Sequence, residues 1–418
     1  MNSTNNSGQK HIAMYIGSLQ KGGAERVMVN LAQYFCSEGY RVTFVTTYLA
    51  VTEYEVPHAA WKVLRIGSET GSDSEAASGS DICSVLTVDG EPAQVSLHGG
   101  CKAGEPEIDR VFSAVSQEEA GGRLNGFQKR CDRLRSIWTS LHPDLILSFS
   151  GKNNVMAIMT SFGLGIPVVV SVRSNPSREY AQRLLRMAML STFRHAAGVV
   201  LQTNGAMAYF PRAIQERAVI LPNSIHPAFM RTPFAGKERD KTIVSVGRLD
   251  ENKNQALLIR AFAKVTGEHP MYQMILYGDG PSRHALEQLS AELHVEKKVQ
   301  FAGIVDNIPE KISRSGIFVL SSDQEGMPNA LIEAMSLGIP CISTDCPCGG
   351  PRDLIQDREN GLLTPVGNVD KMAESLRYLM EDPARAFQMG QKAALVQKEY
   401  SPEKINARWK SYLDGLMK

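Results

Sequence analysis

From residue 11 onward the chain alternates short runs rich in β-branched and aromatic residues with longer stretches of helical period, the pattern of parallel α/β layers. HIAMYIGS (11–18) precedes a helix at about 24–38, and RVTFVTTY (41–48) and WKVLRI (61–66) follow. The alternation stops near residue 67 and resumes with a helix at about 125–141, whose Phe127, Cys131, Leu134, Trp138 and Leu141 fall on one stripe. DLILSFS (144–150), PVVVSVR (167–173), GVVLQT (198–203) and AVILPN (218–223) supply further strands, with helices between them, one at about 178–196. LPNSIHP (221–227) holds two prolines among turn formers and marks a domain junction. A second set begins there: TIVSVGRL (242–249), YQMILYGDG (272–280), VQFAG (299–303), IFVLSS (317–322) and PCISTD (340–345), each followed by a helix. The expected fold class is α/β, with two successive Rossmann-like parallel-sheet domains, 1–223 and 224–399, facing a central cleft.

A length of 418 residues agrees with two domains, because it exceeds what one core usually supports. The longest dense apolar patch, IPVVVSV at 166–172, is far short of the roughly 18 residues that span a bilayer. The polar opening MNSTNNSGQK lacks an apolar signal-peptide core, and seven cysteines in no regular ladder suit a reducing cytosol, so the expected location is cytoplasmic.

The net charge of +1 conceals an asymmetry: residues 68–122 hold eleven Asp or Glu against only Lys102 and Arg110. With eight glycines and one aromatic, Phe112, this stretch reads as an acidic insertion, largely irregular, with VLTVDGEPAQVSLHG as a candidate hairpin. It is either a tolerated surface insertion or a partner-binding element. The remaining chain is mildly basic, which suits an anionic ligand or surface, but without the Arg and aromatic interleaving that nucleic acid calls for.

Ligands of open parallel sheets bind beyond the carboxyl ends of strands, so the loops there carry the candidate chemistry. In SLQKGGAERV, Gly22 and Gly23 permit close backbone approach, and the following helix N-terminus receives a phosphate. The pair reads equally as a tight turn, and the GxGxxG nicotinamide fingerprint is absent. In GRLDENKN, Arg248 and Lys253 at a strand end converge on a diphosphate, or form a solvated charged turn. The strongest constellation is SSDQEGMPNALIEAMSLGIP. There Glu325 lies in a glycine-containing loop, Gly326 and Met327 lead into Pro328 and Asn329 at a helix start, and Glu333 follows one turn in. The carboxylates suit vicinal hydroxyls, as of a ribose or a sugar, and the helix N-terminus suits a phosphate; two glutamates near a helix start also simply complement its dipole.

Taken together, GGAER, GR followed by Lys253, GDG, and EGMPNALIEAM with its glutamates eight apart resemble, in this order, the retaining GT-B-fold glycosyltransferases called family 4. SVRSNP (171–176), LPNSI (221–225) and CGGPRDLI (348–355) are similar to the subgroup acting on lipid-linked acceptors in capsule, exopolysaccharide and glycan assembly. The resemblance covers nearly the whole chain except 68–122. It implies a GT-B fold and transfer of a hexosyl or N-acetylhexosaminyl group from a UDP-sugar to a lipid-linked saccharide, without a metal and with no cofactor beyond the donor substrate. It further implies Glu333 on the ribose, Glu325 on the transferred sugar, Arg248 and Lys253 on the diphosphate, Gly22 and Gly23 near the donor phosphates, and Ile304 and Val305 against the base. Arg173, with Lys152 and Asn153, then falls on the acceptor side. Many relatives carry a His after the strand DLILSFS; this chain has Ser150, Lys152 and Asn153 there, so catalysis is expected to rest on electrostatic stabilisation and positioning. Family members end in helices that cross back to the first domain, here from about residue 384, with 400–418 packing on it. The rivals are a transferase with a soluble acceptor and a catalytically silent scaffold that binds a nucleotide sugar.

Three features stand outside that set. His195 ends a helix and reads as a cap or core residue. Cys346 and Cys348 lack a second pair at zinc spacing and are expected as free thiols lining the cleft. The helix at about 178–196 sets Arg183, Arg186 and Arg194 on one face, with Leu184, Leu185 and Ala188 on another and Met187, Met189 and Phe193 extending the apolar surface; with Lys129 to Arg135 this suits peripheral contact with anionic lipid, or core packing beneath a solvated face.

Overall fold

The computed structural model describes residues 9–20, 22–48, 50, 53–54, 61–65, 123–236 and 238–417; the acidic insertion at 68–122 lies outside the described residues. The first sheet holds β1 (His11–Ile16), β2 (Arg41–Thr46), β3 (Trp61–Arg65), β4 (Leu145–Phe149), β5 (Val168–Ser171), β6 (Gly198–Leu201) and β7 (Ala218–Ile220). All pair in parallel, in the order β3-β2-β1-β4-β5-β6-β7. Its helices are α1 (Gly23–Ser37), α2 (Arg123–Leu141), α3 (Gly151–Ser161), α4 (Pro176–Glu179), α5 (Arg183–Thr192), α6 (Asn204–Ala208) and α7 (Arg212–Gln215). The second sheet holds β8 (Asp240–Val246), β9 (Gln273–Tyr277), β10 (Val299–Gly303), β11 (Ser315–Leu320), β12 (Cys341–Thr344) and β13 (Leu362–Thr364), parallel in the order β10-β9-β8-β11-β12-β13. With it go α8 (Gln255–Val265), α9 (Arg283–Glu292), α10 (Ile308–Ile312), α11 (Asn329–Ser336), α12 (Gly350–Leu354), α13 (Val369–Met380), α14 (Pro383–Ala393) and α15 (Val396–Glu399); α16 (Pro402–Asp414) closes the chain.

Successive strand side chains point to opposite faces, and here both faces are buried, which is why the strands read as continuous apolar runs. In β1, Ile12, Met14 and Ile16 join a core with α1 residues Met28, Leu31 and Phe35, whereas Ala13 and Tyr15 join a core with Trp138 of α2 and Phe193. The second sheet divides likewise: Val319 faces α8 and α13, and its neighbour Phe318 faces α11.

Two expectations change. The helix expected at 178–196 is broken into α4, α5 and a 3-10 turn, Phe193–His195. Tyr180 is fully buried, where its hydroxyl accepts from Asn154 Nδ2 at 3.4 Å, so tertiary anchoring overrides the local period. The crossing back begins later than residue 384: Ala386 and Met389 of α14 remain in the second domain's core, and α16 alone crosses. Its Trp409 is buried 6.2 Å from the Phe149 ring, and its Asp414 accepts from Lys10 and Lys410, both at 2.8 Å, and from Tyr40 at 2.5 Å.

In each sheet the strand order reverses at one point, between β1 and β4 and between β8 and β11. Crevices open at such points beyond the strand carboxyl ends, and here the two crevices face each other.

Candidate active site

The facing loops enclose a cleft of about 850 Å³, within the range of small-molecule sites. From the first domain come Gly22, Gly23, Glu25 and Arg26 after β1 and Arg173, Arg178 and Glu179 after β5; from the second come Gly247, Arg248 and Lys253 after β8 and Glu325, Gly326, Met327, Asn329 and Glu333 after β11.

Two helices begin at this cleft without a side-chain cap. The α1 N-cap is Gly22 and the α11 N-cap is Pro328, and neither residue supplies a side-chain cap; at α1 the Glu25 carboxylate of the first turn bonds back to its own N–H. At α11 a capping side chain would stand where the orphan N–H groups now open to the cleft, whereas at α1 the Glu25 carboxylate already stands beside Gly22. The two starts lie close together, since a Cβ on Gly23 would sit 3.4 Å from Asn329 Nδ2. Arg26, one turn into α1, donates to Glu333 Oε1, one turn into α11, at 2.6 Å. Burial pushes the Glu333 carboxyl up, and Arg26 pulls against that shift.

Lys253 and Glu325 form the second charged pair. Lys253 Nζ donates to Glu325 Oε1 at 2.5 Å, and Ser322 Oγ donates to the same oxygen at 2.6 Å. Two donors on Oε1 fix the carboxylate plane and leave Oε2 for an incoming hydroxyl. Arg248 is more open, its side chain 67% exposed and 3.8 Å from Asp250. Its guanidinium is therefore available to a ligand at little desolvation cost.

Arg173 lies on the floor, stacked 5.0 Å over the Phe149 ring and donating to Ser171 and Asn223. Burial lowers its pKa to about 9, with Glu179 opposing, so it stays charged near neutrality. Its buried Nε has no hydrogen-bond partner among the described residues. Asn223 extends the floor between domains: its Oδ1 accepts from Gln202 at 2.8 Å, and its Nδ2 donates to Asn329 Oδ1 at 2.7 Å and to the Met327 carbonyl at 3.1 Å. At the rim, Arg178 donates to Asn252 at 2.9 Å across the opening.

The structure thus gathers Gly22, Gly23, Arg173, Arg248, Lys253, Glu325, Gly326, Met327, Asn329 and Glu333 around one cleft, with Pro328 capping α11 at its edge. Ile304, 85% exposed, and Val305 are not among the lining residues, and neither are Lys152 and Asn153 at the start of α3. Asn153 donates instead to the Phe149 carbonyl at 3.2 Å. Cys346 and Cys348 do not line the cleft either. Cys346 is buried with its thiol on the Ser322 carbonyl at 3.1 Å, and the Cys348 carbonyl accepts from Thr203 at 2.5 Å, so the pair serves domain packing.

Arg26, Glu179 and Asn223 are cleft residues that the motif reading passed over. Arg26 follows Gly23 by three positions on a helix, so one turn of spacing was enough to aim it into the same site. Glu179 had no local signal. Its carboxylate accepts from the Gly151 N–H at 2.5 Å and from Ser174 Oγ at 2.6 Å, partners 28 and 5 residues away that only the fold brings together.

Comparison with known proteins gives two family models along the chain, the Glycosyl transferase 4-like domain at residues 22–224 and Glycosyl transferases group 1 at 229–396. An uncharacterized glycosyltransferase of Methanocaldococcus jannaschii is 26% identical over 69% of this chain and 83% of its own length. The Campylobacter jejuni GalNAc-α-(1->4)-GalNAc-α-(1->3)-diNAcBac-PP-undecaprenol α-1,4-N-acetyl-D-galactosaminyltransferase is 22% identical over 95% of this chain and 96% of its own length. A second Campylobacter jejuni enzyme, N-acetylgalactosamine-N,N'-diacetylbacillosaminyl-diphospho-undecaprenol 4-α-N-acetylgalactosaminyltransferase, is 34% identical, and there the match spans about half of its length. Among solved structures, Anabaena HepE in complex with UDP superposes with a TM-score of 0.71 at 18% identity, over 97% of this chain and all of that one. Sucrose-phosphate synthase of Thermosynechococcus elongatus gives 0.74 at 18% identity, over 98% and 99%. The fold is GT-B.

Proposed function

Because the chain belongs to the glycosyl transferases that join a 4-like domain to a group 1 domain, we propose that it transfers a hexosyl or N-acetylhexosaminyl group, with retention, from a UDP-sugar to a lipid-linked saccharide. The observation that carries this reading is the meeting of the α1 and α11 starts, whose cap residues Gly22 and Pro328 supply no capping side chain, across a cleft that also holds Arg248, Lys253 and Arg173. Such an array suits a leaving group with two or more negative charges, because helix N-termini and fixed cations stabilise that charge without reorganising. On this reading Glu333 takes the ribose diol, and Glu325 presents Oε2 to a hydroxyl of the transferred sugar. UDP is favoured by its presence with HepE, and the lipid-linked acceptor by the names of the Campylobacter relatives.

In the reaction, the bond between the anomeric carbon and the donor phosphate oxygen breaks as the acceptor oxygen bonds to that carbon on the same face. The acceptor proton passes to the departing diphosphate. Lys253 and the α11 N-terminus hold the charge that develops there, so no metal is required. Removing one such group typically lowers turnover roughly 10²- to 10³-fold.

The test is a thermal-shift panel of UDP, GDP, ADP and their sugar conjugates, since a ligand that binds only the folded state raises the melting temperature. UDP compounds are expected to raise it in the wild type and not in Glu333→Ala. Slow donor hydrolysis, lost in Glu325→Ala, separates an enzyme from a silent scaffold. Absence of any nucleotide shift in folded protein sinks the reading.

A further inference from the structure

Behind the cleft the chain passes between the domains twice, at 221–227 and again at 400–402, and the Ile225 N–H ties the two passages by donating to the Tyr400 carbonyl at 2.9 Å. A second cavity, of about 430 Å³, opens beside them. Asn30, Gln33 and Tyr34 of α1, Ser224 and His226 of the first passage and Asn406 of α16 line it, and among the described residues it shares none with the cleft. The passage itself is the partition, since Asn223 lines the cleft while Ser224 and His226 line the cavity.

Two observations bear on what the cavity holds. Asn406 is only 9% exposed, yet its side chain makes no hydrogen bond among the described residues, and it lines this space. A buried amide without a partner is a cost to the fold, which a ligand's polar groups would offset. Asn30, Gln33 and Ser224 bring further side chains without hydrogen bonds among the described residues to the same space.

The second observation is the charge of the lining, which holds no Asp, Glu, Lys or Arg. Its one titratable ring is neutral near pH 7, because burial, and then Arg26, lowers the His226 pKa from its ordinary 6.5. The ring's Nδ1 accepts from the Ala228 N–H at 3.2 Å, which leaves the proton on Nε2 as a donor. A phosphate or carboxylate here would give up hydration with no fixed cation in return, and a purely apolar ligand would strand the amides. A neutral ligand rich in hydroxyls does neither. Each amide offers a donor and an acceptor to neighbouring hydroxyls, and Tyr34 and Pro227 offer apolar surface to the C–H face of a sugar ring.

We propose that this cavity is a second saccharide site, taking one or two neutral sugar units, with Asn30, Gln33 and Asn406 on their hydroxyls and His226 donating to a further oxygen. Its volume falls at the small end of small-molecule sites. The site stands apart from the donor, for Asn30 and Gln33 lie about 10–15 Å along α1 from Gly23. In an enzyme that builds a glycan it holds free sugar, or a unit of the chain, away from the reacting groups. That purpose rests on the proposed function above; the binding itself does not.

The test is saturation-transfer difference NMR on the full chain with glucose, galactose, N-acetylglucosamine and N-acetylgalactosamine as probes, of which at least one is expected to bind. Gln33→Ala and Asn406→Leu each lower its affinity roughly fivefold, the worth of one neutral hydrogen bond. Asn406→Leu also melts no lower than the wild type, because it removes an unpaired amide, and Gln33→Ala, at an exposed position of α1, carries the test should Asn406→Leu fail to fold. Glucose 6-phosphate binds more weakly than glucose, and tighter binding would overturn the neutral ligand. Chitobiose against N-acetylglucosamine separates the two sources: equal affinity marks free sugar, and tighter binding marks a chain. No transfer to any of the four sugars overturns the proposal. So does a signal that survives Gln33→Ala and Asn406→Leu but is lost in Glu325→Ala, which would place the sugar in the cleft. Sugar binding by protein that shows no UDP-induced thermal shift would overturn the proposed function and leave this site standing.

Discussion

Arg26 holds Glu333 from the opposite domain at 2.6 Å, with the carboxylate side chain only 7% exposed. One oxygen of the pair is engaged, so the ribose of the proposed donor would join Glu333 at the other without first displacing Arg26. The pair sets a pH-dependent prediction. An acid whose folded pKa is raised by burial favours folding while protonated and opposes it once ionised, so its penalty grows as pH rises through that pKa. Arg26 now offsets the penalty. Arg26→Ala is expected to cost roughly 3 kcal/mol near neutrality, the low end for breaking a buried pair because Arg26 is itself 26% exposed. The loss should shrink toward acidic pH, as melting temperatures between pH 5 and 8 will show; a loss independent of pH refutes the coupling. Glu325 and Lys253 were legible as chemistry from their loop positions, but their 2.5 Å contact joins residues 72 apart and depends on β8 and β11 lying side by side.

At the scale of elements, α11 matters for where it starts. Gly326, just before it, is wedged against the first domain: an added Cβ would lie 2.5 Å from Gln202 Oε1 and 2.9 Å from the Arg173 carbonyl. Backbone cannot yield as a flexible side-chain tip can, so Gly326→Ala is expected to force the domains apart at a cost of about 1–3 kcal/mol. Its UDP-induced thermal shift should disappear while secondary structure by circular dichroism is retained. Helix α16 is fastened by charge as well as by Trp409. Burial pushes the Asp414 carboxyl up, but hydrogen bonds from Lys10, Lys410 and Tyr40 outweigh it and hold the pKa at about 2, against an ordinary 3.8. A lowered acid pKa stabilises the fold fully above 3.8, and the benefit fades as pH falls toward 2. Asp414→Asn should melt lower at neutral pH and lose less between pH 4 and 2 than the wild type does. The strands between residues 11 and 345 were visible in their apolar runs, but β13 was not: three residues at a sheet edge are too few to show a period. The break between α4 and α5 was hidden for the opposite reason, since the local sequence favours one helix and the buried Tyr180 overrides it.

For the whole molecule, charge comes from both domains: Arg173 and the α1 start from one, Arg248, Lys253 and the α11 start from the other. On the proposed function these groups supply the positive charge that a diphosphate leaving group needs, so transfer should persist in excess EDTA, measured as sugar incorporated into acceptor; abolition that added magnesium reverses would refute metal independence. The order of β1 to β12, the two-domain plan and the loops at the strand ends follow from the sequence, because apolar period, glycine placement and charge at strand ends are local properties. The tertiary structure alone decided that Arg26 reaches Glu333, that Asn223 ties Gln202 to Asn329, and that Leu184, Met187 and Leu190 face outward. Each depends on how one element is rotated or placed against another distant in sequence, and a local pattern holds no record of that.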